Sequence, residues 1–195
     1  MFLETICILN GKVQNIEAHE RRMHSTASYF GFAAPQLPDI ETLLTNGLKE
    51  CKVKCRVCYH NEIKSIEFEK YLAKNFRSLK LINASPDYAY KFADRTVMND
   101  LLKLRNGCDE ILIVRNGLVT DTSYSNVVFS KGDELITPHY PLLSGTKRHK
   151  LLSEGKIKEV EIRVDSIKEF DSIWLINALL DLEDNVSLPT DQIYY

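Results

Sequence analysis

The sequence predicts an α/β (α+β) protein of two small domains, in which mixed or antiparallel sheets are flanked by helices. Short apolar runs are joined by tight turns such as Asn10-Gly11 and Arg115-Asn116-Gly117, a pattern typical of β-hairpins. Stretches of helical periodicity lie between these runs, and two of them end at Gly31 and Gly107, where glycine favours a helix end. Strands and helices do not alternate regularly, so a doubly wound parallel sheet is not expected.

The two domains are predicted to span residues 1–84 and 85–195. In the first, strands are expected at residues 4–9, 13–16, 53–59 and 63–69, with one helix ending at Gly31 and another over residues 39–51. Asn15 or Glu17 and Asp39 are the candidate caps of these helices. Residues 72–87 contain the turn Ser85-Pro86-Asp87 and are predicted to connect the domains.

The second domain is expected to open with a helix over residues 92–106. Strands are then predicted at residues 110–115, 118–120, 126–130 and 134–136. A further helix begins at Ser144-Gly145-Thr146 and ends near residue 153, before Gly155. Strands at residues 160–164 and 172–176, with a short helix near 166–170, complete the domain.

Composition is that of an ordinary globular protein and excludes several functions. A net charge of −2, with Lys and Arg scattered along the chain, does not favour nucleic-acid binding. No apolar run approaches the roughly 20 residues of a membrane span. The first residues include an acid and no basic lead, so no secretory signal is expected, and the five cysteines then indicate reduced thiols in a cytoplasmic protein.

Cys55 and Cys58 form a C-x-x-C pair close to Cys51, a pattern found both in zinc sites and in strands. A structural zinc site needs a second pair of ligands, and none follows at a usable spacing. We therefore favour a strand in which cations stand between small apolar residues, and we predict no metal site.

The segment from residue 90 to residue 129 holds the densest chemistry in the chain. Lys91 lies at the start of a predicted helix, and some thirty residues later Asp121 and Asn126 flank a hydroxyl-rich turn between two apolar strands. A lysine that forms an imine and a carboxylate that keeps a heterocyclic nitrogen protonated are what pyridoxal-phosphate chemistry needs. Each residue also has a plainer interpretation: Lys91 as a solvated lysine and Asp121 as part of an Asx turn.

Eight motifs, in order along the chain, resemble the class IV (D-amino-acid and branched-chain type) family of pyridoxal-phosphate aminotransferases. They are L-E-T-I, H-E-R-R-M, Y-K-F-A-D-R, C-D-E-I-L-I, T-D-T-S-Y-S-N, I-T-P, L-S-G-T-K-R and I-N-A-L. Within the family, Arg95 and the segment Asn177-Ala178-Leu179 are similar to the branch that acts on 4-amino-4-deoxychorismate. The resemblance implies the class IV fold and pyridoxal 5'-phosphate as the cofactor.

The resemblance also implies a set of site residues. Lys91 is the implied Schiff-base lysine, and Asp121 stands where the family usually has Glu against the pyridine nitrogen. The other implied cofactor-binding residues are Arg22, Asn126, Gly145, Thr146, Lys147, Asn177 and Ala178, and the implied substrate-binding residues are Arg95 and Tyr71. Thr146 and Lys147 depart from the Gly-Ile-Thr-Arg usual in the family, so the backbone donors carry over better than the side chains. Plain helix capping at Gly145 and a strand-end position for Tyr71 are the alternatives.

The activity implied by the resemblance is that of a lyase that eliminates pyruvate from 4-amino-4-deoxychorismate and gives 4-aminobenzoate, a folate precursor. Lys91 would take the proton from the amine-bearing carbon, and Asp121 would sustain the positive charge of the ring nitrogen. The alternatives are a class IV aminotransferase acting on branched-chain or D-amino acids, and a non-catalytic binding protein of the same fold.

The chain departs from the family at its start. The family normally has a further segment before the E-T motif, whereas here Glu4-Thr5 follow Met1 almost directly. The first sheet is therefore expected to be smaller than in the family. Because the family builds each pocket at a subunit interface, the resemblance implies a homodimer.

Overall fold

The computed structural model describes residues 1–73 and 76–195, which form two compact units. Unit 1 contains residues 1–72 and 90–94, and unit 2 contains residues 73–89 and 95–195. The chain leaves unit 1, contributes a segment to unit 2 and returns, which a single boundary at residue 84 does not describe. Three sheets and a few helices make up the described residues, so the predicted mixed α/β class is confirmed.

Unit 1 is one antiparallel sheet with two helices. Its elements are β1 (Phe2–Leu9), β2 (Lys12–Val13), α1 (Ile16–Phe30), α2 (Ile40–Leu43), β3 (Lys52–Tyr59) and β4 (Ile63–Lys70), in the strand order β2-β1-β3-β4. The core on one face of the sheet contains Ile6 and Ile8 of β1 with Val53, Cys55 and Val57 of β3. These residues are two positions apart along each strand, so they lie on the same face of the sheet.

The predicted strand through the cysteines is confirmed. Every second residue of β3 is buried, including Cys55, whereas Cys58 is half-buried and lies on the other face. All five cysteines are free thiols, and the residues described here contain no group of three or more metal-ligating side chains. Burial raises the pKa of the Cys55 thiol to about 12, so this residue stays protonated and unreactive at neutral pH.

The first predicted helix is confirmed and the second is wrong. α1 ends at Phe30, and Gly31 follows with a φ of 72° while its N–H donates to Ala27. Over residues 39–51, by contrast, only the four residues of α2 and a 3₁₀ turn at Asn46–Leu48 are helical. The chain turns extended at Leu44, and the residues that follow it, Thr45-Asn46-Gly47, have low helix propensity.

Unit 2 contains two further sheets and two helices. Its elements are β5 (Leu79–Asn83), α3 (Thr96–Lys103), β6 (Glu110–Arg115), β7 (Leu118–Thr122), β8 (Asn126–Lys131), β9 (Glu134–Pro138), α4 (Thr146–Ser153), β10 (Lys158–Val160), β11 (Ser172–Ile176), β12 (Ser187–Pro189) and β13 (Ile193–Tyr194). The strand orders are β13-β5-β6-β7 and β10-β9-β8-β11-β12. The neighbours β5–β6, β5–β13 and β9–β10 run parallel and the other pairs antiparallel, as expected for mixed sheets. Of the helices in the described ranges, none is long and apolar enough to cross a membrane.

Three predictions in this part of the chain are corrected. Residues 79–83 were expected to lie in the connection between the domains, but they form β5, which pairs in parallel with β6. Parallel strands are not joined by a hairpin turn, so the sequence contains no turn that signals this pairing. The helix expected over residues 92–106 spans only Thr96–Lys103, because Phe92 forms a β-bridge with Phe2, and its C-cap is Leu104 and not Gly107. The strand expected at residues 160–164 ends at Val160, and a 3₁₀ helix follows at Val164–Glu169.

Candidate functional site

Lys91 lies in unit 1, in an extended segment that pairs with the start of β1. Its carbonyl accepts a hydrogen bond from the N–H of Leu3 at 2.9 Å, and the N–H of Ala93 donates to the carbonyl of Met1 at 3.1 Å. α3 begins only at Thr96, so Lys91 is not the helix-start residue that the sequence predicted. Its side chain is half-buried. The backbone of the candidate lysine is therefore held as a short strand against β1.

Aromatic rings hold the same segment from one side. Tyr90 and Phe92 flank Lys91, and their ring centroids lie 4.9 Å and 6.1 Å from that of Phe30. The ring of Phe92 also lies 5.6 Å from that of Phe2 in β1. These ring contacts hold in place the two residues that flank Lys91 in the sequence.

Arg22, the candidate phosphate ligand, forms a buried network with Glu4 and His19. Its Nε donates to Glu4 Oε1 at 2.8 Å and its Nη2 to Glu4 Oε2 at 2.5 Å. The Nδ1 of His19, one turn earlier on α1, donates to Glu4 Oε2 at 2.6 Å. Burial by itself would raise the pKa of Glu4, but the charge of Arg22 and these hydrogen bonds lower it to about 2. Glu4 thus stays ionised inside unit 1.

The lowered pKa of Glu4 predicts a loss of stability in acid. The network stabilises the folded state fully above the ordinary carboxyl pKa of 4.5, and this contribution is lost as the pH falls towards 2. The expected decrease in the free energy of unfolding is about 3 kcal/mol. Denaturant titrations of the wild type and of Glu4→Gln across this pH range measure it. An equal acid response of the two proteins would contradict the role given to Glu4.

Asp121 is a buried carboxylate in β7 with only neutral hydrogen-bond donors. It is 4% exposed. Its Oδ1 accepts from Asn126 Nδ2 at 2.7 Å, and its Oδ2 accepts from the N–H groups of Leu142 and Leu143 at 2.8 and 3.0 Å. Burial raises the pKa of Asp121 to about 6, although the hydrogen bonds oppose the increase. In contrast to Glu4, this carboxylate forms no ion pair among the described residues, and the charge of Arg148 lowers its pKa less than the hydrogen bonds do.

Asn126 and Gly145 fix the loop that leads into α4. Besides its bond to Asp121, Asn126 Nδ2 donates to the carbonyl of Leu143 at 2.9 Å. Gly145 directly precedes α4, and a Cβ added there would lie 1.9 Å from Asn126 Oδ1. The φ of Gly145 is −73°, a value that any residue can adopt, so its backbone conformation does not require glycine. Glycine is needed because the side chain of Asn126 approaches too closely for a Cβ.

Gly145→Ala should destabilise the protein by about 1–3 kcal/mol, because Asn126 must leave its buried position. Gly47→Ala is the matched control, since its Cβ would meet nothing within 4 Å. That control should change stability by less than about 0.5 kcal/mol. Chemical denaturation of both variants tests the prediction, and similar values for the two would show that Asn126 is not held as described.

The hydroxyl-rich turn after Asp121 is closed by other residues. Thr122 Oγ1 accepts a hydrogen bond from the N–H of Ser125 at 3.0 Å. The side chain that closes this turn is therefore that of Thr122, and not that of Asp121 as in the Asx-turn alternative. The N–H of Ser123 donates to Glu110 Oε1 at 3.2 Å, and its carbonyl accepts from Arg95 Nη2 at 2.6 Å. The turn is thus fixed from both sides.

Arg95, a candidate substrate ligand, directly precedes α3 and already forms hydrogen bonds. Besides its bond to Ser123, its Nη1 donates to the hydroxyl of Tyr88 at 3.0 Å, and its guanidinium carbon lies 5.9 Å from the centroid of that ring. Tyr88 is buried. The contacts give Arg95 a structural role in unit 2 and fix the direction of its remaining donors.

The remaining candidates of unit 2 lie around α4 and the end of β11. Thr146 is the buried first residue of α4, and the ammonium group of Lys147 forms an ion pair with Asp181. Asn177 Nδ2 donates to Ser125 Oγ at 2.8 Å, and its Oδ1 accepts from the N–H of Leu179 at 2.8 Å. Ala178, within this turn, is half-buried.

The site residues fall into two groups. Unit 1 carries Lys91, Arg22 and Tyr71, and Tyr71 directly follows β4 at the strand end. Hydrogen bonds in unit 2 connect Asp121 with Asn126, and Asn126 abuts Gly145. Lys147 is already bound to Asp181, which does not favour it as a phosphate ligand.

Sequence reasoning missed Glu4 and His19, although a signal was present. Glu4 interrupts an apolar run, and it shares its strand parity with Ile6 and Ile8, which predicts an inward position. An inward-facing acid requires a cationic or hydrogen-bonding partner. His19 and Arg22 are three residues apart on one helix and can supply it.

Comparisons with known proteins agree on one family. The family model of amino-transferase class IV matches residues 1–182. An uncharacterized protein of Haemophilus influenzae is 41% identical over 180 residues, which cover 90% of this chain and 96% of that protein. The crystal structure of a "putative 4-amino-4-deoxychorismate lyase" from Haemophilus somnus 129PT has a TM-score of 0.81 and 34% identity, with coverage of 91% of this chain and 95% of that one. The pyridoxal-phosphate-bound form of a hypothetical aminotransferase from Mycobacterium tuberculosis, 19% identical, has a TM-score of 0.75 over 91% of this chain and 77% of that one, and shows the fold alone.

Proposed function

Because the chain belongs to the class IV aminotransferase family, we propose that it is a pyridoxal-phosphate-dependent lyase that eliminates pyruvate from 4-amino-4-deoxychorismate and yields 4-aminobenzoate. The name of the Haemophilus somnus protein supports this reaction over others in the family. The similarity of Arg95 and of Asn177-Ala178-Leu179 to the lyase branch supports it further.

The carboxylate of Asp121 is the observation that carries the proposed cofactor. A carboxylate has about four acceptor positions, and the three hydrogen bonds to Asp121 leave one on Oδ1. A buried anion with a raised pKa gains from a cation that also donates a hydrogen bond. A protonated pyridine nitrogen is such a group, so the residues present fit pyridoxal phosphate.

When bound, the cofactor supplies an electron sink for the carbon next to the substrate amine. Lys91 would hold the cofactor through its Nζ and would serve as the base that takes the proton from the amine-bearing carbon. Asp121 would keep the ring nitrogen protonated, and Arg22 would bind the phosphate through its planar guanidinium. Tyr71 and the donors of Arg95 that do not bind Ser123 or Tyr88 are assigned to the substrate.

The reaction is tested by product analysis. The protein loaded with pyridoxal phosphate should convert 4-amino-4-deoxychorismate into pyruvate and 4-aminobenzoate in equal amounts. Formation of glutamate from 2-oxoglutarate and branched-chain or D-amino acids, without 4-aminobenzoate, would instead identify an aminotransferase. Failure of the wild type to bind the cofactor would favour the non-catalytic alternative.

We also propose that the protein acts as a cytoplasmic homodimer with a small-molecule substrate. An obligate interface should bury about 2,000 Å² or more, so the dimer should persist at micromolar concentration. Sedimentation analysis tests the mass, and dilution should decrease activity and thermal stability together. A fully active monomer would contradict this prediction.

A further inference from the structure

We propose that Glu4 is a positioning residue that orients Arg22 to bind the phosphate monoester of the cofactor and whose strand also holds the segment of Lys91. The inference rests on the proposed function. It adds a residue that does not itself contact the cofactor but sets the direction of one that does.

The geometry of the Glu4–Arg22 pair fixes the guanidinium in one orientation. Both oxygens of Glu4 are used, one by Nε and one by Nη2, at 2.8 and 2.5 Å. Two parallel bonds to a planar group hold its plane and leave no freedom about the long axis of the side chain. The direction of Nη1 is therefore set by Glu4. An arginine without such a partner would instead lose side-chain entropy on binding an anion.

Burial gives the pair a direction as well. The side chain of Glu4 is 0% exposed and that of Arg22 is 15% exposed, so the positive end of the pair is the end that reaches the surface. His19, 1% exposed, shares the carboxylate and donates a further hydrogen bond to it. The donors of Arg22 and His19 thus offset the negative charge of Glu4 on the inner side of the pair.

β1 connects this arginine with the candidate lysine. Glu4 binds Arg22 through its side chain, and its neighbour Leu3 donates its backbone N–H to the carbonyl of Lys91 at 2.9 Å. The Phe2–Phe92 bridge adds a second contact to the same segment. Two adjacent residues of one strand therefore set the positions of two groups that are 69 residues apart in the sequence (91 minus 22).

Binding of pyridoxal phosphate and of pyridoxal, which lacks the phosphate, tests the inference. In Glu4→Gln the dissociation constant for pyridoxal phosphate should increase about tenfold or more, because the charged fork is lost. The constant for pyridoxal should change less than about twofold, since it depends on Lys91 and not on Arg22. Glu69→Gln, which removes an exposed carboxylate bound to Lys54, is the control and should bind both compounds as the wild type does.

Arg22→Lys keeps the charge but loses the fork, and it serves if Glu4→Gln does not fold. It should show the same selective loss for pyridoxal phosphate. Equal losses for both compounds in these variants, or no loss in either, would overturn the inference while leaving the proposed cofactor intact. A wild-type protein that binds neither compound would overturn the proposed function itself and the inference with it.

Discussion

Lys91→Ala should abolish covalent binding of the cofactor and decrease turnover by roughly a thousandfold or more, because the variant loses both the attachment point and the proton acceptor. Borohydride treatment of the wild-type holoenzyme, followed by peptide mass mapping, should place the label on Lys91. Some non-covalent binding should remain in the variant, because Arg22 and Asp121 are unchanged.

Lys103→Ala is the matched control for this experiment. Lys103 lies at the end of α3 and forms an exposed ion pair with Asp100, so its loss should affect neither labelling nor turnover. A borohydride label on Lys103 or on Lys80, or an active Lys91→Ala variant, would show that the imine lysine has been misassigned.

Asp121→Asn should decrease turnover by about a hundredfold or more, since a neutral amide cannot sustain the positive charge of the ring nitrogen. Asp121→Glu should retain activity, because glutamate also places a carboxylate at residue 121, on a side chain that is one methylene longer. If the Asn variant turned over substrate as fast as the wild type, the carboxylate would have no role in the chemistry and its hydrogen bonds to Leu142 and Leu143 would be its whole function.

The same substitution has a pH signature in the cofactor-free protein. The pKa of Asp121 is raised from 3.8 to about 6, so the folded state binds the proton more tightly than the unfolded state. Stability is therefore greatest below pH 3.8 for this group and decreases as the pH rises through 6, by about 3 kcal/mol. Asp121→Asn should lack this decrease. Denaturant titrations at several pH values, without cofactor, would reveal the difference between the two proteins.

Much of the fold could be predicted because the signals were local. The alternation of Val53, Cys55 and Val57 specifies a half-buried strand, and Gly31 ends α1 where glycine was expected. β5 was missed because its parallel partner β6 begins far along the chain, and no turn signals such a pairing. The prediction of a helix over residues 39–51 was wrong, because the N-cap at Asp39 starts a helix but does not ensure that the helix continues past Leu44.

Sequence patterns predicted candidate residues for the site but not the contacts of those residues. Lys91 and Asp121 are distinctive by type and order, but sequence could not show that Lys91 precedes α3 in a strand-like segment. Nor could it show that Lys147 binds Asp181, because that pairing joins residues 34 positions apart. The close approach of Gly145 to Asn126 is equally a property of tertiary packing.

The discontinuity of unit 1 has a consequence for the order in which the protein folds. As the chain is synthesised from its N-terminus, β1 to β4 can pair once residue 70 has emerged, and the bonds of Arg22 to Glu4 can form with them. The segment at residues 90–94 arrives later, after β5, which has no β6 to pair with until residue 110 follows. The contacts of Arg22 can thus form first, and Lys91 joins unit 1 in a separate and later step.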